Sequence, residues 1–130
     1  MKKATLTALA AIMTMATASP VLAQDVAAGK TSFNKCMACH AVGEGAKNKV
    51  GPELNGLDGR KSGSVAGYAY SAPNKDSGIT WNKDTFLEYI KDPKAKIPGT
   101  KMIFAGIKNE KEAGDLWAFL AQYSADGKTK

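Results

Sequence analysis

Cys36-Met37-Ala38-Cys39-His40 is the stretch on which the reading of this chain turns. The sequence holds 2 cysteines and 1 histidine, and all of them fall inside this pentapeptide. Thiols three positions apart, followed at once by an imidazole, form the attachment pattern of c-type haem. The thiols add to the porphyrin's vinyl groups as thioethers, and the next residue then lies under the iron. Other uses of the same residues explain less. A thioredoxin-like Cys-x-x-Cys pair expects a strand-helix context in an α/β fold, which the surrounding sequence does not offer. A structural zinc site needs a third and a fourth ligand, and no further Cys or His cluster exists to supply them. A disulfide across Cys-x-x-Cys would close only a very small loop, where the stabilisation is least.

Working outward to the N-terminus, Lys2-Lys3 opens a basic start and an apolar, small-residue run follows to about Ala18. Ser19-Pro20 breaks the run, and Val21-Leu22-Ala23 ends it in the manner of a signal-peptidase site. Residues 1–23 therefore read as a cleaved secretory signal, with the functional domain spanning residues 24–130. The alternative is a retained anchor, but the run is short against the roughly 20 apolar residues a span requires. Export and c-type haem agree, because this haem is attached outside the bacterial cytoplasm. The expected location is the periplasm.

The formal net charge of the whole chain is +6, and it stays positive once Lys2 and Lys3 are removed. Such a mild basic balance suits an acidic partner surface better than nucleic acid, which calls for a denser Arg-rich stripe. A domain of this size lies near the lower end of what a side-chain core supports comfortably. A buried haem would add a large apolar object at its centre.

The rest of the chain reads as helices and loops. A first helix is expected over about Val26 to Lys35, with Val26, Gly29 and Phe33 on one face. A second starts after the N-cap Asn82, carries Phe86, Leu87, Tyr89 and Ile90 inward, and stops at Pro93. In the third, Asn109 and Glu112 form a capping box, and Ala113, Leu116, Trp117, Leu120 and Tyr123 repeat with helical spacing. The polar tail from Ser124 reads as frayed. Between the first two helices lies a long glycine-rich stretch, Gly43 to Gly78, without strand-like alternation. Loops of this length are usually functional, and wrapping a flat cofactor explains them. The expected fold class is all-α: a small single domain of helices and long loops around one covalent haem c.

His40 provides one axial ligand of the iron, and no second histidine exists to provide the other. Of the methionines after residue 23, Met37 lies inside the attachment loop. Met102 sits in Ile97-Pro98-Gly99-Thr100-Lys101-Met102, a loop that can approach the ring. Methionine is ordinarily a core filler, but elimination points to Met102 as the second ligand. His/Met ligation raises the reduction potential.

At these residues the chain resembles class I cytochrome c, specifically the small bacterial cytochrome c2 proteins and mitochondrial cytochrome c. The carrying segments are Cys36 to His40, Val50-Gly51-Pro52, GYAYSAPNKDSGITW over Gly67 to Trp81, Tyr89, and PGTKMIFAGI over Pro98 to Ile107. The resemblance implies that Pro52 accepts a hydrogen bond from His40, although Pro52 reads equally as an ordinary loop proline. It implies that Arg60, Tyr70 and Trp81 hold the haem propionates, that Asn74, Tyr89 and Thr100 form a polar network beside Met102, and that Phe104 lies at the exposed haem edge. Tyr89 reads also as a plain core residue. Gly29 and Phe33 would pack on Leu116 and Phe119 where the first and last helices cross. Lys35, Lys47, Lys49, Lys94, Lys101 and Lys108 match the family's docking ring, with Lys96 beside them, while a solvated lysine face is the alternative. Ala95 and Asn109 occupy positions where that ring has lysine. The function implied is that of a monomeric, soluble periplasmic one-electron carrier and not an enzyme. It would run from a bc1-type quinol-oxidising complex to a terminal oxidase or a photosynthetic reaction centre. A sensor or weak peroxidase would instead require an open sixth position.

Overall fold

The computed structural model describes residues 24–130; the expected signal segment, residues 1–23, lies outside the described residues. Five helices follow in order: α1 (Val26–Phe33), α2 (Ala72–Asp76), α3 (Lys83–Lys91), α4 (Pro93–Lys96) and α5 (Glu110–Ala121). Among the described residues no strand forms, and extended pairing is limited to isolated bridges at Lys61–Thr80 and Tyr123–Thr129. The all-α expectation holds. No helix among the described residues is long and apolar enough to cross a membrane.

Each helix starts on a side chain that satisfies a free backbone amide. Asp25 caps α1 through the amide of Ala28, Asn82 caps α3 through Thr85, and Asn109 caps α5 through Glu112. The capping box expected at α5 is only half formed. Asn109 Oδ1 accepts from the Glu112 amide at 2.9 Å, but the Glu112 carboxylate turns away to accept from Ser32 Oγ at 2.6 Å and from Lys35. A contact between helices thus outcompetes the local one.

α1 and α5 cross at van der Waals distance. A Cβ on Gly29 would lie 2.0 Å from the Asp115 carbonyl oxygen and 2.8 Å from Phe119 Cβ, so only glycine permits the approach. Phe33 packs on Phe119 with ring centroids 5.4 Å apart. Asp115 is buried yet satisfied, accepting from the Asp25 amide at 2.8 Å and from Lys111 at 2.7 Å. Ala113, Leu116, Trp117 and Leu120 form the buried stripe of α5 as their spacing predicts. Trp117 meets Phe86 of α3 at 5.2 Å.

Several expectations need correction. α1 ends at Phe33 rather than Lys35, and a hydrogen-bonded turn carries the chain on through Cys39. Val26 is exposed rather than buried with Gly29 and Phe33. Pro93 both ends α3 and begins α4: Asp92 caps α4 through the Ala95 amide, and proline tolerates the first turn of a helix. The Gly43–Gly78 stretch is not wholly irregular, since Ser71 caps the short α2 within it. Elements this short show no periodicity to read. Finally, the tail is not frayed. The Ser124 amide donates to Lys128 at 2.8 Å and the Lys130 amide to Gln122 at 2.8 Å, folding residues 122–130 into a hairpin.

Candidate functional site

A cavity of about 480 Å³ opens at the centre of the fold, well within the ~300–1,000 Å³ typical of cofactor sites. Cys36, Cys39, His40 and Met102 all border it. The turn that continues α1 makes this possible. The Cys39 amide bonds the Cys36 carbonyl at 3.1 Å and the His40 amide bonds the same carbonyl at 2.9 Å. One turn of helix-like backbone therefore brings positions i, i+3 and i+4 to one side.

His40 is held in a defined tautomer. Its Nδ1 lies 2.7 Å from the Pro52 carbonyl oxygen. A carbonyl can only accept, so Nδ1 carries the hydrogen and Nε2 carries a lone pair. Burial holds the imidazole's pKa below its ordinary value, against the opposing pull of the Pro52 carbonyl, and the positive charges of Arg60 and Lys49 add to the lowering. The ring is thus a neutral donor at neutral pH. Gly51 makes the arrangement sterically possible, because a Cβ there would lie 2.4 Å from His40 Cε1. Backbone bonds tie this loop down, from the Gly51 amide to Cys39 at 2.7 Å and from the Leu54 amide to Ala41 at 2.9 Å.

Met102 is partly buried against the core. Its thioether accepts from the Tyr89 hydroxyl at 2.9 Å, and its amide donates to Thr100 Oγ1 at 3.2 Å. Burial pushes the Tyr89 phenol up to about 12, with Thr100 pulling the other way, so it remains a donor. A thioether sulfur has two lone pairs, and the tyrosine occupies one. Met37, by contrast, is half exposed at 51%. Of the three polar residues expected beside Met102, Tyr89 and Thr100 contact it, whereas Asn74 accepts from buried Ser62 at 2.6 Å. Trp81 packs edge-on against Tyr89 at 4.9 Å.

Arg60 enters from the loop beyond Pro52. Its Nη1 donates to the carbonyls of Glu53 at 2.9 Å and Asn55 at 3.0 Å, while its buried Nε has no partner among the described residues. Tyr70 borders the cavity and accepts from the Val65 amide at 3.1 Å, and burial raises its pKa. Trp81, Thr100 and Phe104 line the same space. The sequence reading missed Tyr68, whose hydroxyl donates to the Val50 carbonyl at 2.7 Å at the mouth, and it missed the hub Asn55. It also missed exposed Val50 and Ile103, 74% and 91% accessible at the rim. Exposed apolar residues inside long loops carry no signal in the sequence itself.

The predicted docking lysines do not behave alike. Lys35 and Lys101 border the cavity. Lys35 is paired with Glu112, Lys101 donates to the Ala69 carbonyl at 2.6 Å, and Lys49 donates to Met37 at 2.6 Å. Lys108 reaches the Lys91 carbonyl, and Lys94 is exposed on α4. Lys47 lines a separate shallow groove beside Arg60. Lys96 pairs with Glu88 at 2.5 Å.

The donors fit a haem. Nitrogen and thioether ligands suit haem iron, the unpartnered Arg60 Nε awaits an acceptor such as a carboxylate, and Leu54, Leu57, Phe86, Ile90, Leu116 and Leu120 supply apolar walls. Burial pushes the Cys36 thiol up to about 11 despite nearby Lys35, which makes it a poor exchanging thiol.

Comparison with known proteins agrees. The Cytochrome c family model matches residues 26–124. Cytochrome c-550 of Bradyrhizobium diazoefficiens is 74% identical over 104 residues, covering 80% of this chain and 76% of that protein. Cytochrome c2 of Rhodoplanes tepidamans is 70% identical over 107 residues, covering 82% of this chain and 100% of the relative. Among solved structures, cytochrome cH from Methylobacterium extorquens superposes with a TM-score of 0.69 at 44% identity, covering 74% of this chain and 96% of that one.

Proposed function

The chain belongs to the cytochrome c family and is an electron carrier with one covalently bound haem c, and from that premise we propose how its own residues perform the task and where. Cys36 and Cys39 would carry the haem through thioethers, and His40 and Met102 would bind its iron. The observation that carries this reading is the convergence on one cavity of both thiols, the His40 Nε2 lone pair and the Met102 thioether. Bound there, haem supplies one iron that alternates between ferric and ferrous and so stores a single electron.

The protein's part is to hold that centre and tune it. Pro52 fixes the His40 ring and raises its basicity as a ligand. Tyr89 withdraws electron density from the Met102 sulfur through its hydrogen bond, favouring the reduced state. Arg60 offers its Nε to a propionate, with Tyr70 and Trp81 beside it, while Asn74 and Thr100 brace the Met102 side. The apolar walls exclude water, and Phe104 borders the same cavity, where it would pack against the haem. With His40 and Met102 both held by the protein, the bound iron would need little rearrangement between oxidation states. No substrate bond is made or broken, which is why the chain is not an enzyme.

The proposed setting is the periplasm, reached through cleavage after Ala23. The carrier is a monomer that accepts from a bc1-type complex and delivers to a terminal oxidase or a photosynthetic reaction centre. Val50 and Ile103 form an apolar rim at the cavity mouth. Lys35, Lys47, Lys49, Lys94, Lys101 and Lys108 steer it toward acidic partners, with rates that fall as salt rises. The deciding experiment is the visible spectrum of the dithionite-reduced holoprotein with and without carbon monoxide. A c-type spectrum unmoved by carbon monoxide at neutral pH is expected. A prompt shift would overturn Met102 ligation and favour ligand chemistry at the iron.

A further inference from the structure

The loop that carries Gly51 and Pro52 is closed at its base by a reciprocal pair of hydrogen bonds between a backbone and a side chain. The Gly43 amide donates to Asn55 Oδ1 at 2.8 Å, and Asn55 Nδ2 returns a bond to the Gly43 carbonyl at 2.9 Å. Asn55 is 7% exposed, and its own carbonyl receives Arg60. The C-terminal hairpin sits directly on this closure. Gly127 is buried at φ +83°, and a Cβ there would lie 2.2 Å from the Gly43 carbonyl oxygen. The Gly56 amide donates to the Tyr123 carbonyl at 3.2 Å, and a Cβ on Gly56 would lie 3.0 Å from Ala125 Cα. The tail therefore grips both ends of the 43–56 loop, on either side of the residues that orient His40.

We infer that the hairpin of residues 122–130 is a clasp that positions His40, with Gly127 and Asn55 as its positioning residues. The route is contiguous. Gly127 and Tyr123 hold Gly43 and Gly56, the Gly43–Asn55 pair closes the loop, and the closed loop presents the Pro52 carbonyl to His40 Nδ1. Loosening the tail lets the loop open, the bond to Pro52 weakens, and the imidazole becomes a poorer ligand for ferric iron. The inference rests on His40 being the iron ligand.

The test compares haem-loaded wild type with Gly127→Ala, with a chain ending at Ser124, and with Leu87→Ala as a control on the core side of α3. Amide exchange at Gly51 and Leu54 and the His40 Nδ1–H proton resonance are read by NMR. Both tail variants are expected to speed that exchange about tenfold or more, to shift the resonance and to raise the reduction potential. Leu87→Ala should lower the unfolding midpoint without moving the resonance. Unchanged exchange and resonance in the tail variants overturn the clasp. If neither variant folds, native-state exchange of the wild type decides: the Gly127 and Lys130 amides must open together with those of Gly43, Leu54 and Gly56, and separate openings overturn it. Failure of the haem reading would show independently, as absence of a c-type absorption spectrum.

Discussion

Around His40, residues 39–56 are tied by several hydrogen bonds to one another and to the tail, whereas the backbone just after Met102 has few. The first region has the Gly51–Cys39 and Leu54–Ala41 backbone bonds, the Gly43–Asn55 pair, the Glu53 amide on Asn48 and the grip of the tail. The second is bounded by Thr100 on Ile97 and by Ile107 on Ile90. Between these limits, the amides of residues 103–106 donate to no protein group among the described residues, and Ile103 is 91% exposed. Regions with few internal bonds and little burial open at lower cost. One pocket thus combines a tightly tied His40 with a Met102 segment that yields more readily.

The largest test of this contrast is Met102→Ala. The variant should keep its covalent haem and bind carbon monoxide fully in the ferrous state. If its reduced spectrum ignores carbon monoxide, another group closes the site and the contrast is broken.

Next in size is a paired measurement of stability. Gly51→Ala drives a methyl into the His40 ring and should cost about 1–3 kcal/mol in urea unfolding. Ile103→Ala on the other side should stay within about 0.5 kcal/mol. Equal losses would mean that both sides are equally rigid.

Tyr89→Phe removes the donor to Met102 without leaving a hole. A hydrogen bond of about 0.5–1.5 kcal/mol corresponds to roughly 20–65 mV for one electron, and potentiometry should show a fall of that order. No change would mean that the hydroxyl does not tune the sulfur. Because the phenol is pushed up to about 12, the wild-type bond should persist well above pH 10, the ordinary tyrosine value.

The smallest effect lies just upstream of Cys36. Hydrogen bonds from Lys35 and then Ser32 hold the Glu112 carboxyl below its ordinary pKa. Its contribution is therefore present above the unfolded-state pKa and is lost as pH falls through the depressed folded value. Glu112→Gln should cost less than about 1 kcal/mol at neutral pH. The gap from wild type should close in acid, as followed by urea midpoints across that range. A pH-independent gap would remove Glu112 as an ionised anchor of the attachment turn.

Much of the fold was legible because its signals are local. Asn82 and Asn109 cap where their side chains can reach an amide three residues on, and the stripe from Ala113 to Leu120 declares its buried face by period. The cofactor motif is likewise a short string whose chemistry leaves few alternatives. What escaped was set by contacts between distant segments. Glu112 abandons its own helix for Ser32, 80 positions away. The polar tail looks dispensable in composition, yet Gly127 is buried against Gly43. Short capped turns such as α2 and α4 also passed unread, because four or five residues carry no periodicity.

By itself, the sequence pointed to Cys36 and Cys39 as the attachment thiols, to His40 beside them and to Met102 as the soft donor opposite, because these expectations follow from which reactive atoms exist and how few bonds separate them. Only the tertiary structure decided how firmly each donor is held, that Nε2 rather than Nδ1 of His40 is free, that Arg60 has an unpartnered donor, and that the C-terminus guards the loop behind the imidazole. Those outcomes depend on which carbonyls and amides meet across the fold, and hydrogen bonds between residues far apart in the chain leave no trace in its order.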